Sequence, residues 1–444
     1  MSAHHAAPAP TRQELVRLIQ ARPVSKQLKS ISLGLAVLGF GVFIVGAAMG
    51  VDRAWQAYHV NWLYFTIPSS AAVVFTAVQR ITTARWSRPV IRLIEGFVAW
   101  LPVAFVLLLL TLVFGKGHIF PWMHETIQVP EKARWLEPTF FTIRGIAIFG
   151  LITALSVWYI YTSVRVDVAL LPEWGASWAK GLRERMRRGF GDERREMHST
   201  HSLQGKLAVY LALTFGFGWT VLAWDLSMSM DYHFQSTMYG WQVFMGGWLV
   251  MLMLFSLLLR WWRNFLGAHD VITDKHFHDV GKLCFAFTAF WGYLTFSQFL
   301  VVWYGNWAEE THRLRLTLIE PWTRLSVSVA FLVFGAPFFG LLGKAPKLFT
   351  PTMGLFAACS MIGIWLHRYL EIYPPIYVQT VSSAPFGIWE IGTTLGFLGL
   401  WGFCYLSFMD AFPRMRVVWM TSAYRDEMQI PVDARTMEPL PAHE

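Results

Sequence analysis

Cysteine is scarce: three residues in a chain of 444, Cys284, Cys359 and Cys404, each alone inside an apolar run and none in a CxxC or CxxCH setting. That spacing argues against a disulfide framework, iron–sulfur ligation or covalent haem attachment in this chain. Charge is scarce too. Only 15% of residues are Asp, Glu, Lys or Arg while 55% are apolar, a balance foreign to a water-soluble fold of this length. The fourteen histidines lie in the tails, the connections or at the ends of apolar runs, with His367 nearest an interior. A bis-histidine haem would need facing pairs within helices, so none is expected. No Walker A pattern or glycine-rich phosphate loop follows a strand, which argues against an ATP-driven machine. The first 30 residues are polar and the first apolar run is long enough to span a bilayer, so no cleavable signal peptide is expected.

What is there is long hydrophobic runs. Ten of them, at 31–51, 62–78, 97–114, 139–163, 207–228, 240–259, 281–303, 325–342, 350–366 and 388–409, have the length an α-helix needs to cross a bilayer core of about 30 Å. Aromatic residues gather at their ends, as in "VVWYGNW" and "GKGHIFPWMH", which suits an interfacial belt. The fold class is therefore all-α, a polytopic membrane protein, with a 1–30 segment before the membrane domain 31–409 and a 410–444 tail after it. Ten spans put both termini on one side. The termini and even-numbered connections hold 28 Lys and Arg, counting Lys282, against 8 in the odd-numbered connections, so both termini are expected in the cytoplasm. The run "KGLRERMRRGFGDERR" accounts for much of the +9 net charge; beside membrane spans it reads as a cytoplasmic anchor, not a nucleic-acid site.

A faint repeat links "LEPTFFTIRG" at the start of span 4 to "IEPWTRLSV" at the start of span 8, placing Arg144 and Arg324 alike after a Glu-Pro pair. A four-span offset preserves helix direction. Spans 2–5 and 6–9 would then be two parallel-related four-helix bundles, flanked by spans 1 and 10.

The chemistry-bearing stretches lie at span ends. In "WDLSMSMDYHFQSTMYG" Asp225 falls near the outer end of span 5, and Asp231 and His233 in the connection after it. An ionisable group in a span costs roughly 2.5 to 3.5 kcal/mol at the centre and seeks a partner or a watery cavity. Asp225 pairs with Arg144 or Arg324 as helix glue, or accepts protons beside a reduced carrier. At the inner start of span 7, "DKHFHDVGK" carries His278, Asp279 and Lys282, read as a proton-passing mouth or as plain helix-start chemistry. His276 and His278 are two apart and so poorly placed for a metal. "RWSRPVIRLIEG" brings Arg85, Arg88, Arg92 and Glu95, with Arg92 and Glu95 spaced to pair on one face. At the outer end of span 7, Tyr304, Glu309 and their neighbours form a docking surface or a site edge.

These stretches carry a resemblance. "WDLSMSMDYHFQSTMYG", "HFHDVGKLCFAFTAFWGYLTFSQFLVVWYGNWAEET" and "ARWSRPVIRLIEG" resemble motifs of the NrfD/PsrC-like integral membrane subunits of alternative complex III, and of its second, ActF-type subunit in particular. The resemblance runs from about Gln27 to Met415. It implies ten helices in two four-helix bundles plus two flanking helices. It also implies a quinol:electron-acceptor oxidoreductase of the bacterial cytoplasmic membrane, with a sister NrfD-like subunit, an iron–sulfur protein and multihaem c-type cytochromes as partners. Quinol is the small molecule to expect at this chain; haem c and iron–sulfur clusters belong to the partners. Asp225 stands at the family's aspartate, Met228 and Ser229 at its Met-Ser, and Ser236 and Thr237 at its Ser-Thr, whereas Leu226, Tyr232 and Phe234 depart from it. His278, Asp279, Gly281 and Lys282 match its inner His-Asp-x-Gly-Lys. The expected proton path is Glu95, His278, Asp279, Lys282 and Asp225; the expected outer quinol or docking region is Asp225, Asp231, His233, Tyr304 and Glu309; Arg144 and Arg324 are expected to hold the bundle charges, and no metal is expected. A purely structural anchor and a secondary transporter are the rival functions.

Overall fold

The computed structural model describes residues 11–20, 22–84, 86–171, 175–377 and 383–421. Arg85, the Glu309 side chain and the tail from 422 lie outside the described residues. Ten helices are long and apolar enough to cross a membrane: α1 Lys26–Ala48, α2 Asp52–Ile81, α3 Ile91–Ile119, α4 Pro138–Leu170, α5 Glu193–Met230, α6 Tyr239–Leu266, α7 Asp274–Gly305, α8 Thr323–Gly340, α9 Thr350–Tyr377 and α10 Ile388–Ala411. The chain is a multi-pass helical membrane protein. Helices are what such a sequence must form, because in hydrocarbon each backbone N–H needs a partner within its own segment. Eight of the helices cover their predicted apolar runs and continue beyond them; α1 stops at Ala48, short of 51, and α8 at Gly340, short of 342.

Two rings of four helices organise the molecule. In the first, α2 packs on α3, α3 on α4, α4 on α5 and α5 back on α2; in the second, α6, α7, α8 and α9 close in the same order. The rings meet where α2 lies against α6 and α9, and α5 against α6. Burial follows from this plan: 94% of the most apolar window of α2 and 78% of that of α6 are buried, against 17% for α8. The helices α1 and α10 pack tightly on each other beside α2. Their contact runs through Gly39 and Gly396, where a side-chain carbon on either would collide with the backbone of the other.

The two ends of the molecule are chemically different. At the end where α5 finishes and α6 begins lie Asp225 and the connections 120–137, 231–238 and 306–322; at the other lie Asp279, the connection 171–192 and both described chain ends. These are called here the Asp225 end and the Asp279 end.

Candidate functional site

At the Asp225 end of the first bundle, Asp225 is 1% exposed and fully engaged. Its Oδ1 accepts from Arg144 Nη2 at 2.8 Å and from Trp135 Nε1 at 2.9 Å, and its Oδ2 from Arg144 Nε at 2.8 Å. The Arg144 guanidinium lies over the Trp135 ring, 3.9 Å from its centre. This is the bidentate geometry in which an arginine best compensates a carboxylate removed from water. Arg324 is not placed likewise. It is exposed at the Asp225 end of α8 and, among the described residues, pairs with Glu320, four residues back, at 3.7 Å, so of the two expected bundle charges Arg144 is the one buried with a partner.

The remaining outer candidates are scattered. Asp231 is buried with its carboxylate 3.4 Å from His312 Nδ1, and His233 is exposed with its ring tilted against that of Tyr232, 4.1 Å between centres. Lys132 ties this turn down by donating to the Tyr232 and His233 carbonyls. Burial, and then the nearby Glu125 carboxylate, push the Tyr232 phenol above its ordinary range. Tyr304 is 86% exposed.

The expected proton path is likewise divided. Glu95 is buried in the first bundle, 2.7 Å from Arg92 and accepting from Ser163 Oγ. Arg92 in turn donates to Asp167 at 2.6 Å, and Asp167 accepts the Val418 N–H. Asp279 and Lys282 pair at 2.8 Å near the surface of the second bundle, with His278 half-buried beside them. Arg92 and Asp167 draw Glu95 into the α3–α4 seam, and no hydrogen bond or ion pair among the described residues joins it to His278, Asp279 or Lys282. The Asp279 pair instead sits near Lys347, which packs against Gly281; burial, and then the charge of Lys282, lower the Lys347 ammonium below its ordinary range.

The principal cavity lies elsewhere, in the second bundle toward its Asp225 end. Its volume is about 770 Å³, and its walls are mostly apolar, from α6, α7, α8, α9 and the helix Ala308–Leu318. Its carboxylates, arginine and imidazole come from α9 and the helix Ala308–Leu318. On α9, His367 and Glu371 are one turn apart, with His367 Nδ1 3.2 Å from Glu371 Oε1. Glu371 Oε2 accepts from Arg368 Nη1 at 2.6 Å and from Ser227 Oγ at 3.0 Å. Arg313 donates to Tyr239 Oη and to the Glu371 carbonyl, both at 3.2 Å, and Glu310, Gln242, Thr295 and Gln298 are among the other polar side chains on the wall. Over Ala330–Gly335, α8 widens into a π-helical stretch, and its Ala330 and Phe334 line the same space. Such π turns gather at functional sites because they re-aim side chains without breaking the helix.

This is the arrangement a small-molecule site requires: an apolar volume within the usual range and a few convergent polar groups. Arg313 Nη1 is buried without a hydrogen-bond partner, and His367 Nδ1 and Glu371 Oε1 have only each other, without hydrogen-bond geometry.

No known protein family matches this chain, and no curated protein matches it significantly.

The sequence alone does not single out Arg313, one of several charges in the connection after span 7, and with span 9 ending at Leu366 it passes over Arg368 and Glu371 and makes His367 a boundary residue. The signal was present. "LHRYLEIYPP" places His367, Arg368 and Glu371 at helical spacing directly after an apolar run, and the helix runs on to Tyr377; three ionisable groups carried into a span mark a functional site before they mark a boundary.

Proposed function

We propose that this chain is an NrfD/PsrC-like integral subunit of a quinol:electron-acceptor oxidoreductase, seated in a bacterial cytoplasmic membrane with both termini in the cytoplasm, and that it holds the quinol head in the second-bundle cavity. The observation that carries this reading is the His367–Glu371 pair on the wall of a cavity large and apolar enough for a quinone ring and the start of its tail. A quinol loses two protons and two electrons on oxidation. His367 and Glu371 stand where one hydroxyl proton would be received, and Glu310 is the second carboxylate on the wall for the other. Arg368 and Ser227 already engage Glu371 Oε2, so Oε1 and the imidazole are the free acceptors. The two electrons go to an acceptor carried by partner subunits, an iron–sulfur protein and c-type cytochromes in this reading. Asp225, paired on both oxygens, serves as helix glue instead of a proton acceptor.

Proton movement from the opposite end is the second part of the proposal. Thr288 Oγ1, Trp291 Nε1 and Ser360 Oγ are buried without hydrogen-bond partners, and their positions along α7 and α9 fall between the Asp279–Lys282 pair and His367. Waters bridging such atoms would form a proton-conducting file. Asp279→Asn should leave the complex assembled and lower the number of protons moved per electron; an unchanged ratio removes Asp279 from the path.

The binding test is quenching of tryptophan fluorescence by a soluble quinone analogue in the purified complex, since Trp291 lies 5.5 Å from the His367 ring, centre to centre. Glu371→Gln and His367→Phe should each weaken binding about tenfold or more, the scale of a lost charge-assisted hydrogen bond, while Asp225→Asn leaves it unchanged. Weakening by Asp225→Asn alone would return the quinol to the first bundle. No binding at all would leave a structural anchor. The transporter reading has less support: α2 runs unbroken through Pro68, where a discontinuous helix would be expected.

A further inference from the structure

Far from the quinol-sized cavity, at the Asp279 end of the first bundle, a second and smaller hollow lies between the last turn of α2, the connection 82–90, α5 and the helix Val417–Thr421. Its volume is about 60 Å³, room for a phosphate-sized group and too little for a nucleoside. Three arginines from three parts of the chain line it: Arg80 on α2, Arg88 in the connection and Arg416 ahead of the last helix. Arg88 and Arg416 are both close enough to Arg80 for their charges to repel it, and no carboxylate lines the hollow among the described residues. Asp167 is the nearby acid that feels Arg416, yet its oxygens are taken by Arg92 and the Val418 N–H.

Arg80 and Arg416 are held in place by neutral groups. Arg80 Nη2 contacts His201 Nδ1 at 2.7 Å and donates to the His201 carbonyl at 3.1 Å; Arg416 Nη2 donates to Gln204 Oε1 at 3.5 Å. Both keep capacity to donate: among the described residues, Arg80 Nε and Arg416 Nε are buried without hydrogen-bond partners, and so is Oε1 of Gln79, a residue 9% exposed. The Gln79 amide turned over would present its N–H₂ to the same point. Ser87 and Thr83 add hydroxyls. Guanidinium groups brought together without anions are unfavourable unless a shared anion completes them, and planar N–H forks match the oxygens of a phosphate.

We infer that this hollow is a binding site for a phosphate-class anion, formed by Arg80, Arg416 and Gln79 with Arg88 adding charge. Its place at the final turn of α2 is the level at which lipid headgroups lie, and basic pockets between membrane helices take such headgroups. A lipid phosphodiester and free inorganic phosphate present the same oxygens, so the test separates them. The purified protein is held in a delipidating maltoside detergent, which carries no phosphate, and its thermal unfolding midpoint is followed in two arms: phosphatidylglycerol added to the micelles, or inorganic phosphate added to the buffer at constant ionic strength. The site raises the midpoint in at least one arm, the first identifying a lipid headgroup and the second a free anion. Arg416→Gln abolishes that rise, whereas Arg17→Gln, which removes an equal charge from the exposed face of the helix Arg12–Gln20, keeps it. Gln79→Leu changes no charge and diminishes the rise as well, which covers the case in which Arg416→Gln folds poorly. A midpoint that neither addition moves, or a rise undiminished in both Arg416→Gln and Gln79→Leu, overturns the site.

Discussion

Asp225 is the residue at which charge, burial and pairing can be weighed most directly. Its carboxylate is almost wholly out of water, and Arg144 supplies two of its three hydrogen bonds. Removing one member of such a pair strands the other, which costs about 3–5 kcal/mol, while replacing both by apolar groups costs far less. Arg144→Ala should therefore destabilise the solubilised protein by that amount, and Arg144→Met with Asp225→Leu should recover most of the loss, in a double-mutant cycle read by denaturant or thermal unfolding. A single-variant cost under about 1 kcal/mol would mean that water reaches the pair. The need of Asp225 for an arginine was legible from its place in an apolar run. Which arginine was not, because the repeat makes Arg144 and Arg324 look alike; Arg324 differs in having Glu320 one turn away and solvent around it. Glu371 was hidden for another reason: it lies beyond the residue at which hydropathy alone ends span 9.

Among the helices, existence was far more legible than partnership. In lipid both faces of a spanning helix can be apolar, so periodicity does not tell which face meets protein, and close packing of small residues must decide. The α1–α10 seam shows how: Gly39 meets Gly396, and Gly399 meets the backbone of Ala36 and Ser32. A leucine at 396 has no open direction, so Gly396→Leu should push α1 from α10 and cost on the order of 1–3 kcal/mol as overpacking does, or more where backbones must part. The control stands two residues along α1 from the seam. Gly41 has nothing within 4 Å of where its side chain would be, so Gly41→Leu should leave unfolding almost unchanged. Equal losses for both variants would mean that the seam is not what holds α1.

For the whole molecule the deciding quantity is the distribution of charge between its ends. The two-bundle plan was partly legible in the Glu-Pro repeat, and the ring order of α2–α5 and α6–α9 is its three-dimensional counterpart. The proposed orientation rests on the basic residues: the connections and described chain ends at the Asp279 end carry the excess of Lys and Arg, and positive loops tend to stay in the cytoplasm. In the proposed orientation the large cavity of the second bundle opens on the outer half of the membrane, and the three-arginine hollow lies at the inner leaflet. Labelling of single cysteines with a membrane-impermeant maleimide in intact cells tests this, in a background where Cys284, Cys359 and Cys404 are replaced. Tyr304→Cys is exposed at the Asp225 end and should react, whereas Lys275→Cys, exposed at the other end, should react only after the membrane is opened. The reverse pattern would do more than invert the drawing. It would turn the proposed release of quinol protons toward the cytoplasm, set the arginine hollow against the outer leaflet and remove Tyr304 from the proposed outer docking region, so this one measurement bears on every proposed assignment that depends on side.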